Sequence, residues 1–520
     1  MTNYSFPTLG EVLKLLFNAT DVLHLNYENK KLIQKQLQRL ANEEGNISEN
    51  LNNLFELFRF NIESLVDDKR VADAIINSIF LVLRNYRHEV RTNGACISRA
   101  HIYQWLVGSE LLNTIVLAQH KYFLMFNLPA SGLIAPEEKH WWLPEIHAGG
   151  IECPLGKAFK WMYTSLSINQ THFHYPDHND LTKSDHRLRQ NLENASEWQQ
   201  GDRIPSLENL LLNLNDSLHA MESTPQEKYR RKLDEKTRAS FRIVLFIARI
   251  STVISKMIAE NLGLKFLQTL VDDFKRQDRR LRKVSRPLCS SVNEIQQTWG
   301  ISKQCQMDRI WLEHSRTFWD DLEGLFISNI QTIQAWQREY KNSELDFSKL
   351  RYLSTHMSSF YAGWYFIQHR IASYKSYAPR FFEIHARGLE LKSTGSTTRE
   401  EIEKYELILK KENLDQNLRW LKNWIWGSYY YRQEKWHKAY LFFQRAFEEA
   451  KYSAGSHQYK LVNQFVEICA KNNKWRDFKR GAFWANYLGI EIRWLRGTDC
   501  TEDDMKVAYE IMKNTVYPVL

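Results

Sequence analysis

Cysteine, proline and glycine are all scarce in this chain, and each scarcity limits what the protein can be. The 520 residues hold six cysteines, eleven prolines and twenty glycines. Cys96, Cys153, Cys289, Cys305, Cys469 and Cys500 form no C-x-x-C pair. That spacing excludes a zinc knuckle, a dithiol redox motif and a disulfide framework, and reduced thiols in a cytoplasmic protein are expected. Long apolar runs are missing too. The most apolar stretch, 241–258, is interrupted by Arg242, Arg249 and Lys256, so no membrane span is expected. The first twenty residues carry no early basic residue, and Glu11 and Lys14 break their apolar run. No signal peptide is expected. A P-loop, a dinucleotide-binding glycine string, a G-x-S-x-G elbow and the kinase signatures are absent. No cofactor and no resident metal are expected.

What is present fits a folded protein of more than one domain. Hydrophobic residues make up 43% and charged residues 25%, which excludes disorder as a description of the whole chain. Proline marks the organisation. Residues 8–128 contain none, seven lie between Pro129 and Pro225, and only Pro379 and Pro518 follow Pro287. Proline costs a helix interior about 3 kcal/mol, so its gaps mark helical blocks. Apolar stripes at i, i+3, i+4 spacing agree, beginning at Leu13, Leu16 and Phe17 and recurring over 32–40, 51–65, 71–83 and 102–117. No β-hairpin signal stands out, and 127–155, with four prolines and three glycines, reads as a loop. The expected fold class is all-α and multi-domain. It comprises an N-terminal helical domain (1–128), a linker with a further helical region (129–227), a basic helical domain (228–392) and C-terminal helical repeats (393–520), the last opened by the STGSTT tract.

The charge is unevenly placed. The chain totals +9, yet 228–286 alone carries seventeen Lys or Arg against six Asp or Glu, a net +11. Its closing cluster is Lys275, Arg276, Arg279, Arg280, Arg282 and Lys283, spaced to form a cationic stripe on one helix. Such a stripe can meet phosphates and release their counterions, so nucleic acid is an expected partner. Cations at a helix C-terminus also complement its dipole without any ligand.

Residues 423–450, NWIWGSYYYRQEKWHKAYLFFQRAFEEA, resemble a tetratricopeptide repeat, a 34-residue helical hairpin with a G-x-x-Y then A-x-x-x-F signature. Gly427, Tyr430, Ala439, Phe443 and Ala446 hold the register, while Asn423, Trp426 and Lys451 depart from it. A degenerate echo lies 39 residues on, with Trp475 matching Trp436, Ala485 matching Ala446 and Phe478 replacing Ala439. One hairpin cannot bury its own apolar face, so helical neighbours are expected. The resemblance implies a protein-binding groove lined by Trp424, Ser428, Tyr431 and Arg432. The alternative is that Trp424 and Tyr431 pack against the next helix.

A second resemblance covers 154–220. The string W-x-x-G-x-x-x-P-S-L-x-x-L-L, with Trp198, Gly201, Pro205, Ser206, Leu207 and Leu211, is similar to the end of an Xre-type helix-turn-helix domain. That likeness would present Arg187, Arg189 and Gln190 to a DNA major groove. Asp185, Glu193 and Glu197 on the same helix oppose it, and a retained helical core is the alternative.

Three Arg-x4-His strings, Arg309/His314, Arg380/His385 and Arg432/His437, resemble the catalytic motif of all-helical HEPN-type ribonucleases. The small polar residue that usually follows the arginine is replaced by Ile310, Phe381 and Gln433. Arg309/His314 is the best pair. His140, His147, His172, His174, His178 and His186 crowd one region without H-E-x-x-H spacing. The expected function is that of a non-enzymatic regulatory or adaptor protein. It would bind a protein partner through its repeats and nucleic acid through its basic segment, within a larger complex and away from membranes. A helical ribonuclease and a purely structural subunit are the rivals.

Overall fold

The computed structural model describes residues 6–22, 30–66, 69–92, 134–147, 150–168, 170, 184–223, 230, 232–276, 278–279, 381–497 and 500–515. Among these the fold is all-α apart from one two-stranded hairpin. The N-terminal block is α1 (Leu9–Thr20), α2 (Lys30–Ala41), α3 (Ile47–Val66) and α4 (Lys69–Thr92). Thr8 and Glu11 form a capping box that starts α1, and Asp21 ends it in the left-handed region at φ 55°. Residues 93–133, including the stripe at 102–117, lie outside the described set.

The middle begins with β1 (Glu145–His147) and β2 (Gly150–Glu152), paired antiparallel with Ile146 opposite Ile151. This segment was expected to be loop. Two short alternating runs around a glycine-containing turn are a hairpin signal that the surrounding prolines obscure. Then come α5 (Pro154–Leu166), α6 (Ser184–Gln200), α7 (Leu207–Ser223) and the long α8 (Glu235–Leu262), which Asp234 caps through the Thr237 N–H at 2.9 Å. Gly263 interrupts the helix, and 264–276 form α9.

The long α8 joins three cores. Phe241, Val244, Leu245 and Ala248 pack with α5 and α7, whereas Ile243 and Phe246 join the core of the N-terminal block. Ile258 meets Leu267, Val271 and Phe274 of α9. Arg249 lies on the same helix and is buried. Its Nε and Nη1 donate to the carbonyls of Pro205 and Ala19 at 2.8 Å each, and Nη2 pairs with Asp21 at 3.1 Å.

The C-terminal helices are α10 (Phe381–Ser393), α11 (Arg399–Lys411), α12 (Arg419–Arg432), α13 (Trp436–Ala450), α14 (Gln458–Lys471), α15 (Trp475–Leu488) and α16 (Glu502–Asn514). The STGSTT tract ends in the capping box Thr398–Glu401 that starts α11. Within the α12–α13 hairpin, a Cβ added to Gly427 would stand 2.9 Å from the Phe443 ring. We expect Gly427→Ala to destabilise the protein by about 1 kcal/mol, the crowding of Phe443 outweighing the gain in helix propensity. A urea melt checks this. In α14–α15 the knob and hole are exchanged, because Gly481 on the second helix receives Val466 and Phe465 from the first.

The N-terminal block packs directly on these C-terminal helices, and one apolar core runs through both. Leu9 N–H donates to the Tyr452 hydroxyl at 3.1 Å, and that hydroxyl donates in turn to Glu43. Lys451 pairs with Glu43 and with Glu448. Gln458 ties Val90 O to the Trp484 indole, with 2.9 Å bonds to each. Each core draws on segments distant in the chain. Residues 155–221 share one with α8, and Ile384 and Leu391 of α10 share one with the helices that follow.

Candidate nucleic-acid interface

The concave site lies where α9 crosses the β-hairpin region. Leu267, Val271 and Phe274 stand at i, i+4 and i+7 and bury one face of α9. Asp272 and Arg276 then face outward on α9, Lys275 is half-buried beside them, and Arg279 beyond them is exposed. These four and His140 line a cavity of about 440 Å³. His140 is fixed from below, since its Nε2 lies 3.0 Å from Oδ2 of buried Asp278 and its ring meets Phe274 edge-on at 5.9 Å. Trp142 stacks edge-on against the same phenyl ring at 4.8 Å, and Ser251 holds the Trp142 carbonyl at 2.5 Å.

The cations differ in their surroundings. Arg276 is paired with buried Asp273. Arg279 is exposed, and its Nε donates to the Lys275 carbonyl at 3.2 Å. Elsewhere in the basic segment three arginines are already engaged. Arg249 is internal, Arg238 pairs with Glu222, and Arg242 pairs with Glu235 at 2.6 Å. Lys232, Lys236 and Lys265 are exposed along the same segment, and Lys275, Arg276 and Arg279 are the cations that line the cavity.

Of the residues predicted to contact nucleic acid, the structure brings together Lys275, Arg276 and Arg279. Arg280, Arg282 and Lys283 lie outside the described residues. Arg187 and Arg189 fall in α6, and their side chains are likewise outside the described set. Trp198 is buried, Gly201 turns the chain at φ 76°, and Ser206 Oγ accepts from the Asn209 N–H at 3.2 Å at the start of α7. Residues 171–183, between α5 and α6, are not described. Arg309 and His314 also lie outside. Sequence reasoning named His140 only as one of a crowd of histidines and did not single out Asp272 and Asp278. The carboxylates were visible within the basic run, but counting net charge hides which of them faces the cations.

Of the residues that the repeat resemblance placed in a groove, Trp424, Ser428 and Tyr431 are buried and Arg432 is part-exposed. The Trp424 indole donates to Gln464 of α14 at 2.7 Å, and the Tyr431 hydroxyl donates to Glu467 of the same helix. On the other side Lys392 of α10 lies 4.5 Å over the Trp424 ring, and Arg432 Nη1 donates to the Lys392 carbonyl at 3.2 Å. Large aromatic area is most favourably removed from water, so the neighbouring helices close over this face.

Among the described residues one group has metal-ligand character. Donor atoms of Glu145, His147 and Glu152 on the hairpin lie within 4.8 Å of one another. Both carboxylates are already paired, Glu145 with Lys157 and Glu152 with Lys160. The Lys157 hydrogen bond holds the Glu145 carboxyl below the usual carboxylate range. A cation would have to displace an ammonium from each, so the cluster is an ion-pair network that braces the hairpin on α5.

No helix among the described residues is long and apolar enough to cross a membrane. No protein-family model, no curated protein and no solved structure matches this chain, and the reading of its site rests on its own geometry.

Proposed function

We propose that this protein is a regulatory or adaptor component that acts by binding, with the cationic cavity on α9 contacting nucleic acid and the C-terminal helices holding a protein partner. The observation that carries the reading is the convergence of Lys275, Arg276, Arg279 and His140 on one cavity. Three cations lining one cavity suit phosphate oxygens, and a histidine braced by a buried carboxylate adds a fixed polar contact. The protein-binding part is supported by the paired helices α12–α13 and α14–α15, which read as tetratricopeptide-like hairpins in a stacked array. With the Trp424 face covered, a partner would meet the outer surface, where Leu407 of α11 and Leu441 of α13 are exposed.

Labelled RNA and duplex DNA titrated with the full-length protein at 50 and 200 mM salt test the nucleic-acid part. Three phosphate contacts give a slope of log affinity on log salt of about −2 to −3, hence roughly a 40-fold loss over that range. Replacing Lys275, Arg276 and Arg279 by Ala should remove most of that slope. Salt-independent binding, or an unchanged slope in the triple variant, would refute the assignment.

A further inference from the structure

A second cationic site lies away from the cavity, between α10, α12 and the start of α14. Lys392, in the last turn of α10, is 2% exposed. Its ammonium lies over Trp424 and within hydrogen-bonding reach of the Lys460 ammonium, with the Arg432 guanidinium close by. Ser428 sits between Trp424 and Arg432 on the same face of α12, one helical turn from each. Its side-chain oxygen is buried and has no hydrogen-bond partner among the described residues, and the same is true of Arg432 Nη2. His457, at the N-terminal edge of α14, is largely buried beside them, stacked on Trp420 at 5.7 Å.

This arrangement is unbalanced as it stands. The C-terminal dipoles of α10 and α12 account for one cation each in kind, but each supplies only roughly half a negative charge. Lys460, Arg432 and a partly protonated Lys392 against about one unit of negative dipole leave an excess of roughly one to two positive charges. Among the described residues the charges that act most on Lys392 are positive, and burial, then Lys460 and Arg432, push its ammonium down to about 7. A water molecule could satisfy Ser428 and Arg432, yet it would carry no charge to offset Lys460, Arg432 and a protonated Lys392. An anion with several acceptor oxygens does both.

We propose that Lys392, Lys460, Arg432 and Ser428 form a binding site for a free tetrahedral oxyanion of the size and charge of inorganic phosphate. Lys460 is exposed and stands in the first turn of α14, where the N-terminal amides also favour negative charge. It forms the mouth of the site and turns from Lys392 onto the anion. The near-complete enclosure of Lys392 selects a small ion over a peptide chain. The bound ion would lock the end of α10 against α12 and α14.

The test uses the full-length protein carrying Lys275→Ala, Arg276→Ala and Arg279→Ala, so that the cavity on α9 does not contribute. Sodium phosphate is titrated against sodium chloride at constant ionic strength and pH, with the melting temperature and the phosphorus NMR linewidth as readouts. The expected result is a rise that grows with the logarithm of phosphate concentration above the dissociation constant, about 3 to 5 °C at roughly 100-fold above it, with a broadened phosphate signal. Lys392→Met should abolish both. Ser428→Ala, which leaves every charge in place, should weaken binding about tenfold. Lys460→Ala alters only an exposed residue, so it decides the question should Lys392→Met fail to fold. No rise with phosphate overturns the proposal, as does an equal rise in Lys392→Met or, where that variant is unfolded, in Lys460→Ala.

Discussion

Arg249→Ala is expected to lower the unfolding free energy by about 3–5 kcal/mol, a large part of the 5–15 kcal/mol typical of a folded domain. The guanidinium is 5% exposed and makes three directed bonds, to Pro205 O, Ala19 O and Asp21. These three groups belong to the end of α1 and the turn before α7, so one side chain ties the N-terminal block to the middle of the chain. Removing it leaves two buried carbonyls short of a donor. It also leaves the Asp21 carboxylate with the Leu207 N–H at 2.8 Å and no compensating cation from α8. Arg249→Lys should recover little, since one ammonium cannot reproduce a planar fork aimed at three acceptors. Urea melts of the three proteins measure this. A loss below about 1 kcal/mol for Arg249→Ala would show that the node does not hold these elements together. Arg249 belongs to the basic segment yet faces inward. The folded variant should therefore bind nucleic acid as the parent does.

Lys451→Ala should cost a similar amount, about 3–5 kcal/mol, for a related reason. Its side chain is 5% exposed and lies between Glu43 and Glu448, with the Glu448 oxygen at 3.0 Å. The ammonium also lies 4.9 Å over Phe447 and 5.4 Å over Trp484. Without it Glu43 keeps only the Tyr452 hydroxyl. Burial, with the Glu43 charge beside it, pushes that hydroxyl well above the usual tyrosine range, so it stays protonated and donates. Tyr452→Phe should cost less, about 1–3 kcal/mol, because the ion pair survives while the Leu9 N–H loses its acceptor. The two losses should fall short of additive in the double variant, since both residues act on one carboxylate. Strict additivity in denaturant melts would argue that they stabilise the protein separately. The same contacts predict that truncation at residue 398 exposes the core shared by α1–α4 and α12–α15 instead of releasing an intact N-terminal part.

Helix positions were the most legible feature of the sequence. The apolar stripes at 32–40 and 51–65 fall within α2 and α3, and Gly263 marks the break after α8. The hairpin signature around Gly427 and Phe443 corresponds to a close contact, because a missing Cβ and a large ring at that spacing have one economical packing. The echo 39 residues later looked degenerate for an equally physical reason. Position-by-position comparison tests identity, whereas packing needs only complementarity, and Gly481 against Val466 exchanges the partners. The β-hairpin was missed because two three-residue strands give too short a period to stand out beside four prolines.

By itself, then, the sequence determined that the chain is helical, where its helices break and which segment is rich in positive charge. These follow from local periodicity and composition, which need no knowledge of distant neighbours. The tertiary structure alone decided which cations face outward and which aromatic face is covered. Arg249 and Lys275 look alike in a charge count. One is enclosed by groups about 230 residues away, and the other lines a cavity with His140. Trp424 and Tyr431 share a helix face whether they meet a partner or α14. Long-range packing makes that choice, because whatever apolar surface comes closest covers them first.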